Sequence, residues 1–118
     1  MTQRVSATYL IATLQDARAR TLELINDLDQ EQLMGPKLPG VNPLRWEIGH
    51  IAYFYEFFIL RSLYGHDSIL GLKADELYDS IAVAHDTRWD LPLLSMTETL
   101  AYMNEVLEKV CAHLVNKN

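Results

Sequence analysis

The chain has 118 residues, enough for one domain with a modest core, spanning 1–118. Hydrophobic residues make up 49% of it and the formal net charge is −6, with a pI near 5.0. That composition describes a globular chain, and without a basic run it argues against nucleic acid or an anionic membrane as partner. A single cysteine, Cys111, excludes an intramolecular disulfide and points to a reducing compartment. The N-terminus lacks the layout of a signal peptide. The longest nearly apolar run, Ile48 to Leu60, is interrupted by His50 and Glu56 and is too short to span a bilayer. The expected location is cytoplasmic.

The first predicted element is one long helix from about Thr2 to Leu33. Ile11, Leu14, Leu22, Ile25 and Leu28 recur at mostly three- and four-residue steps, and Arg18, Arg20, Glu23 and Asp27 form its wet flank, with Arg20 in reach of Glu23. The run MGPKLPG, residues 34–40, breaks it. A second helix is expected from Asn42 to Gly65, with Asn42 as N-cap, Pro43 at the first helical position and Gly65 as the stop. On a helical wheel Trp46, His50, Tyr53, Phe57, Leu60 and Tyr64 share a stripe, so an ionisable group, His50, sits in the middle of an apolar face. Ile51, Phe54 and Phe58 lie outside that stripe and need separate cover.

The connection from His66 to Leu94 is too apolar for a free linker. It contains one possible short helix, Ala74 to Ser80, with Asp75 and Glu76 favourable near its start. A third long helix begins at Ser95, where SMTE reads as a capping box between Ser95 and Glu98. Met96, Leu100, Met103, Leu107, Val110 and Leu114 form its stripe, and Phe57 and Leu107 are the expected centres of the two stripes. Three long amphipathic helices without a strand signal make an all-α bundle.

His50 has two readings, a hydrogen-bonded core histidine or a metal ligand. Zinc and iron sites need about three or more protein ligands, and no other histidine lies one helical turn from His50. His66 is about 24 Å away along the helix at 1.5 Å per residue, so a complete site needs His85, His113 or carboxylates brought in by folding. Glu56 reads as a partner supporting such a site, or as a helix-edge charge pairing with Arg61 or Lys109. His85, Asp86 and Arg88 form a polar cluster within an apolar loop, open to a substrate-contact reading and to a loop-fixing one. Cys111 reads as an inert packed thiol.

The segment NPLRWEIGHIAYFYEFFILRSLYG, carrying Pro43, Trp46, His50, Tyr53, Phe54 and Glu56, resembles the second helix of the DinB-like domain that opens the ergothioneine-biosynthesis sulfoxide synthases. These are mononuclear nonhaem iron enzymes that join a thiol to a trimethylated histidine using oxygen. LYDSIAVAHDTRWDLPLLSMTETLAYMNEVLEKV resembles that family's long loop and third helix. The resemblance implies an up-down helical bundle with three of four long helices, the fourth missing or supplied by a partner chain. It implies iron as cofactor, with His50 matching the first ligand. The family's other two ligands sit in an HxxxHxE motif, and no such motif occurs here. Arg88 matches a loop arginine that holds the thiol substrate's carboxylates, and His85 occupies another such position. The chain is then not expected to hold iron tightly or to act alone, and a further catalytic domain or chain is an expected partner. Two other readings compete: a non-catalytic module that oligomerises, most simply as a homodimer, and a DinB-like metal-dependent thiol transferase.

Overall fold

The computed structural model describes residues 5–115. They form an all-helical domain. No strand occurs among them, and none of their helices is long and apolar enough to cross a membrane.

Helix α1 spans Ala7–Ile25 and starts on a Ser6 N-cap, whose hydroxyl accepts the Tyr9 N–H at 3.1 Å. The single helix expected up to Leu33 is instead two. Asp29 and Gln32 close a reciprocal capping box that starts α2, Gln30–Met34. The stretch between them holds Asn26, Asp27 and Asp29, short polar side chains that compete with helical hydrogen bonding, so the chain turns there. The turn lets both Ile25 and Leu33 reach the core. Thr2, the expected start, lies outside the described residues.

Helix α3, Leu44–Tyr55, continues without interruption as a π-helical segment, Glu56–Leu63. Pro43 takes the N-cap position, one residue later than expected, and its carbonyl receives the N–H groups of Trp46 and Glu47. Asn42 instead contacts Arg88 and Glu47. In the π segment the hydrogen bonds widen to i+5, so the faces of the helix shift relative to a 3.6-residue wheel. The shift places Glu56 fully inside and leaves Phe57, an expected stripe centre, half-buried, while Leu60 is completely enclosed. Gly65, in the left-handed region at φ 71°, ends the segment, as its position in the sequence suggests.

Helix α4, Leu72–Tyr78, is the short helix expected over Ala74–Ser80, displaced by two residues. Asp75 in its first turn accepts from Arg61 at 2.9 Å and from Tyr53 at 2.6 Å, which ties α4 to α3. Arg61 is therefore not the partner of Glu56, and Lys109 pairs with Glu105 on its own helix. Helix α5, Met96–Val115, starts on the expected Ser95–Glu98 capping box.

Helix α5 packs against both α1 and α3. Its buried face is Thr99, Tyr102, Met103, Val106 and Val110. That is the expected stripe rotated by about one position: Leu100 is 39% exposed and Leu107 is half-buried. The rotation follows from a polar contact in the core. Tyr102 must face α3 to donate its hydroxyl to Glu56 at 2.6 Å, and Glu56 also accepts the Ile69 N–H at 2.7 Å. A buried carboxyl needs such partners, and they explain how Glu56 can be enclosed. On the α1 side, Arg18 leaves the expected wet flank and donates to the Met103 carbonyl at 2.6 Å. Arg20 pairs with Asp16 rather than Glu23.

Candidate metal and substrate site

Trp46, Gly49, His50 and Tyr53 lie on the α3 face that meets α4. Trp46 is buried and donates its indole N–H to the Leu77 carbonyl at 2.7 Å. Its ring stacks on the His50 imidazole, with centroids 4.5 Å apart and planes 12° from parallel. The Nδ1 of His50 lies 2.8 Å from the Tyr78 carbonyl oxygen. A carbonyl only accepts, so Nδ1 donates, and in a neutral imidazole the lone pair is then on Nε2. Histidine ligands are oriented this way, with one ring nitrogen anchored to a backbone carbonyl and the other presented to the metal. His50 is half-buried and lines a cleft with Phe54, Phe57, Phe58, Asp79 and Ile81.

The rest of a metal site is not assembled. Among the described residues no group of three or more His, Cys, Asp or Glu side chains converges. His66 contacts His113, and His85 bonds the Val41 carbonyl, so neither turns toward His50. Glu56 is occupied by Tyr102 and Ile69. The donor set fits one ligand position of an iron centre and not the centre as a whole.

The expected substrate residues sit on the loop after α4. Arg88 is 7% exposed. Its guanidinium donates to Asn42 Oδ1 at 3.0 Å and to the carbonyls of Ser80 at 3.0 Å and Val83 at 2.8 Å. It also lies 4.1 Å over the Trp46 ring. Nε of Arg88 is buried without a partner among the described residues. His85 begins a short 3₁₀ turn, His85–Thr87, and its ring packs edge-on against Trp89. Arg88 and His85 thus fasten this loop to the segment before α3, and the Trp46 ring contacts both Arg88 and His50.

Several contributors were not visible in the sequence. Tyr78 acts through its main-chain carbonyl, which no side-chain pattern reports. Its ring closes on Gly49, where an added Cβ would overlap the phenol. Asn42 serves as the Arg88 acceptor and donates to Glu47 at 2.6 Å, a role hidden behind its strong N-cap signal.

On its outer side the α3 face is apolar and open. Ile51 is 38%, Phe54 54% and Phe58 54% exposed. Phe54 and Phe58 pack on each other with centroids 4.7 Å apart. His50 lies at the border between this patch and the core. At the α1 edge, Cys111 is half-buried, and burial raises its thiol pKa despite Arg18 nearby, in keeping with an inert thiol.

The DinB superfamily profile matches residues 13–116. Hercynine oxygenase of Mycobacterium tuberculosis is 35% identical over 98 residues, which cover 82% of this chain and 23% of that protein. Hercynine oxygenase of Mycolicibacterium smegmatis is 34% identical over 96 residues, covering 79% and 22%. The protein of the same name from Mycolicibacterium thermoresistibile is 33% identical over 105 residues, covering 86% and 23%. The chain spans less than a quarter of the length of these curated relatives.

Proposed function

The chain belongs to the DinB superfamily, and from that premise we propose that it is the metal- and substrate-site domain of an ergothioneine-type, iron-dependent sulfoxide synthase, inactive alone. The observation that carries this reading is His50, with Nδ1 anchored on the Tyr78 carbonyl and Nε2 left with its lone pair beside an open aromatic cleft. Similarity to three proteins named hercynine oxygenase supports the same assignment.

In this reading His50 is one ligand of an iron centre whose other ligands come from outside the described residues, either from further sequence or from a partner chain. Iron would supply the oxygen chemistry once the donor set is completed. The chain's own residues position. Tyr78 fixes the imidazole tautomer, and Trp46 fixes its plane. Arg88 and His85 hold the loop that carries Ser80 and Ile81 beside the cleft, and so shape the substrate side without a free guanidinium fork. Elemental analysis of the isolated chain, purified without added metal, tests the incomplete site. The expected content is well below one equivalent of iron or zinc. Near one equivalent, lost on His50→Ala, would mean that the chain assembles a whole site by itself.

A non-catalytic oligomerising module is the second reading. The exposed Ile51, Phe54 and Phe58 favour it, because soluble monomers seldom leave contiguous apolar faces uncovered. A thiol transferase of the same superfamily would need the same missing ligands.

A further inference from the structure

Two imidazoles meet at the far end of the α3–π helix from His50. His66 follows the Gly65 turn at the close of the π segment, and its N–H bonds back to the Leu60 carbonyl at 2.8 Å. His113 lies in the last turn of α5. The two Nε2 atoms are 2.7 Å apart, with ring centroids at 4.9 Å and planes at 70°. The Tyr64 ring lies flat on His113, 3.7 Å between centroids and 7° from parallel. Both histidines are half-buried and remain reachable from solvent. The nearby charged groups are Asp67, next to His66 in the chain, and Lys109, one turn before His113 and paired with Glu105 at 3.8 Å.

We propose that His66 and His113 form a two-imidazole site for a divalent transition metal, which cross-links the turn after the π segment to the last turn of α5. Two nitrogens this close, both neutral, must share one proton: one ring donates from Nε2 and the other accepts there. A metal can take the place of that proton. The donating ring moves its proton to Nδ1, so the ion enters with no net proton loss and finds two lone pairs. Two imidazoles bound to one ion at about 2.0–2.1 Å each, at angles of about 90–109°, hold their nitrogens about 2.9–3.4 Å apart. From 2.7 Å the pair therefore has to open by about 0.2–0.7 Å. The two Nε2 atoms now face each other, so each ring has to pivot toward the ion, while the Tyr64 stack on His113 and the His66 bond to Leu60 hold the elements that carry them. Water would fill the remaining positions, so the ion should be exchangeable, and affinity should follow the usual order with Cu²⁺ above Ni²⁺ and Zn²⁺. The pair is independent of His50.

The test uses untagged, full-length chain and bare metal salts. With Ni²⁺ about tenfold above the dissociation constant, the thermal unfolding midpoint should rise by about 4 °C or more. His66→Gln should lose the shift, and His50→Gln should keep it. If His113→Gln fails to fold without its stack on Tyr64, the wild-type chain gives an independent answer: substoichiometric Cu²⁺ should broaden the amide NMR signals of residues 64–67 and 111–115 first. No midpoint shift, a shift unchanged in His66→Gln, or broadening that begins elsewhere would overturn the site.

Discussion

Tyr102 donates its hydroxyl to the enclosed Glu56 carboxyl at 2.6 Å, joining α5 to the first turn of the π segment. Burial, and then the bond to Glu56, push the Tyr102 phenol pKa well above its ordinary value. Removing one partner of a buried polar pair strands the other. Tyr102→Phe is expected to cost about 1–3 kcal/mol in denaturant melts. The Tyr102→Phe, Glu56→Gln double variant should lose less than the sum of the singles. Additive losses would mean that the two groups do not depend on each other.

Gly49 is set by a steric constraint. Its missing Cβ leaves the room that the Tyr78 ring fills, and Tyr78 in turn presents the carbonyl that orients His50. Gly49→Ala should destabilise the fold by about 1–3 kcal/mol through overpacking. Placing the same change in a Tyr78→Leu background should cost clearly less. Equal costs in both backgrounds would show that the ring is not what Gly49 accommodates.

The α3–α4 junction carries a pH dependence with two signs. Burial alone would raise the Asp75 pKa, but hydrogen bonds from Arg61 and Tyr53 outweigh it and leave it lowered. A lowered acid pKa contributes stability above the unfolded value near 3.8, and that stability is lost as pH falls through the folded one. Tyr53 is shifted upward, first by burial and then by Asp75. Its contribution is complete below the unfolded value near 10.0 and is lost as pH rises beyond it. Asp75→Asn should flatten the acid limb of a stability-against-pH curve, and Tyr53→Phe the alkaline limb. Curves that overlay the wild type on both limbs would show that the triad does not couple folding to pH.

The open α3 face leads to an expectation about assembly. If a second chain covers Ile51, Phe54 and Phe58, light scattering across a dilution series should give a dimer that persists at micromolar concentration. Phe54→Glu with Phe58→Glu should then yield a folded monomer. A wild-type chain that is monomeric at every concentration would exclude the pairing.

Much of the fold was legible because amphipathic periodicity and caps are local signals. The Ser95–Glu98 box, the Gly65 stop and the three long helices all follow from residues a few positions apart. The errors fall where a distant contact or an unusual helix overrode the local pattern. The π segment moved Glu56 from the helix edge into the core, and its bond to Tyr102 rotated the α5 face away from Leu100. The break between α1 and α2 was readable in Asp29 and Gln32, but the apolar spacing across it hid the signal. At the site, the position of His50 on an apolar face was visible, whereas its orientation was not, because it depends on a main-chain carbonyl 28 residues away in sequence.

In the proposed function His50 is one oriented ligand of a site that other residues must complete. Fusing or co-expressing this chain with a helix bearing HxxxHxE, followed by measurement of bound iron, tests it most directly. Little iron is expected on either part alone, close to one equivalent on the combination, and loss of that iron on His50→Ala. Iron retained by the combination after His50→Ala, or none bound by the folded combination, would contradict it.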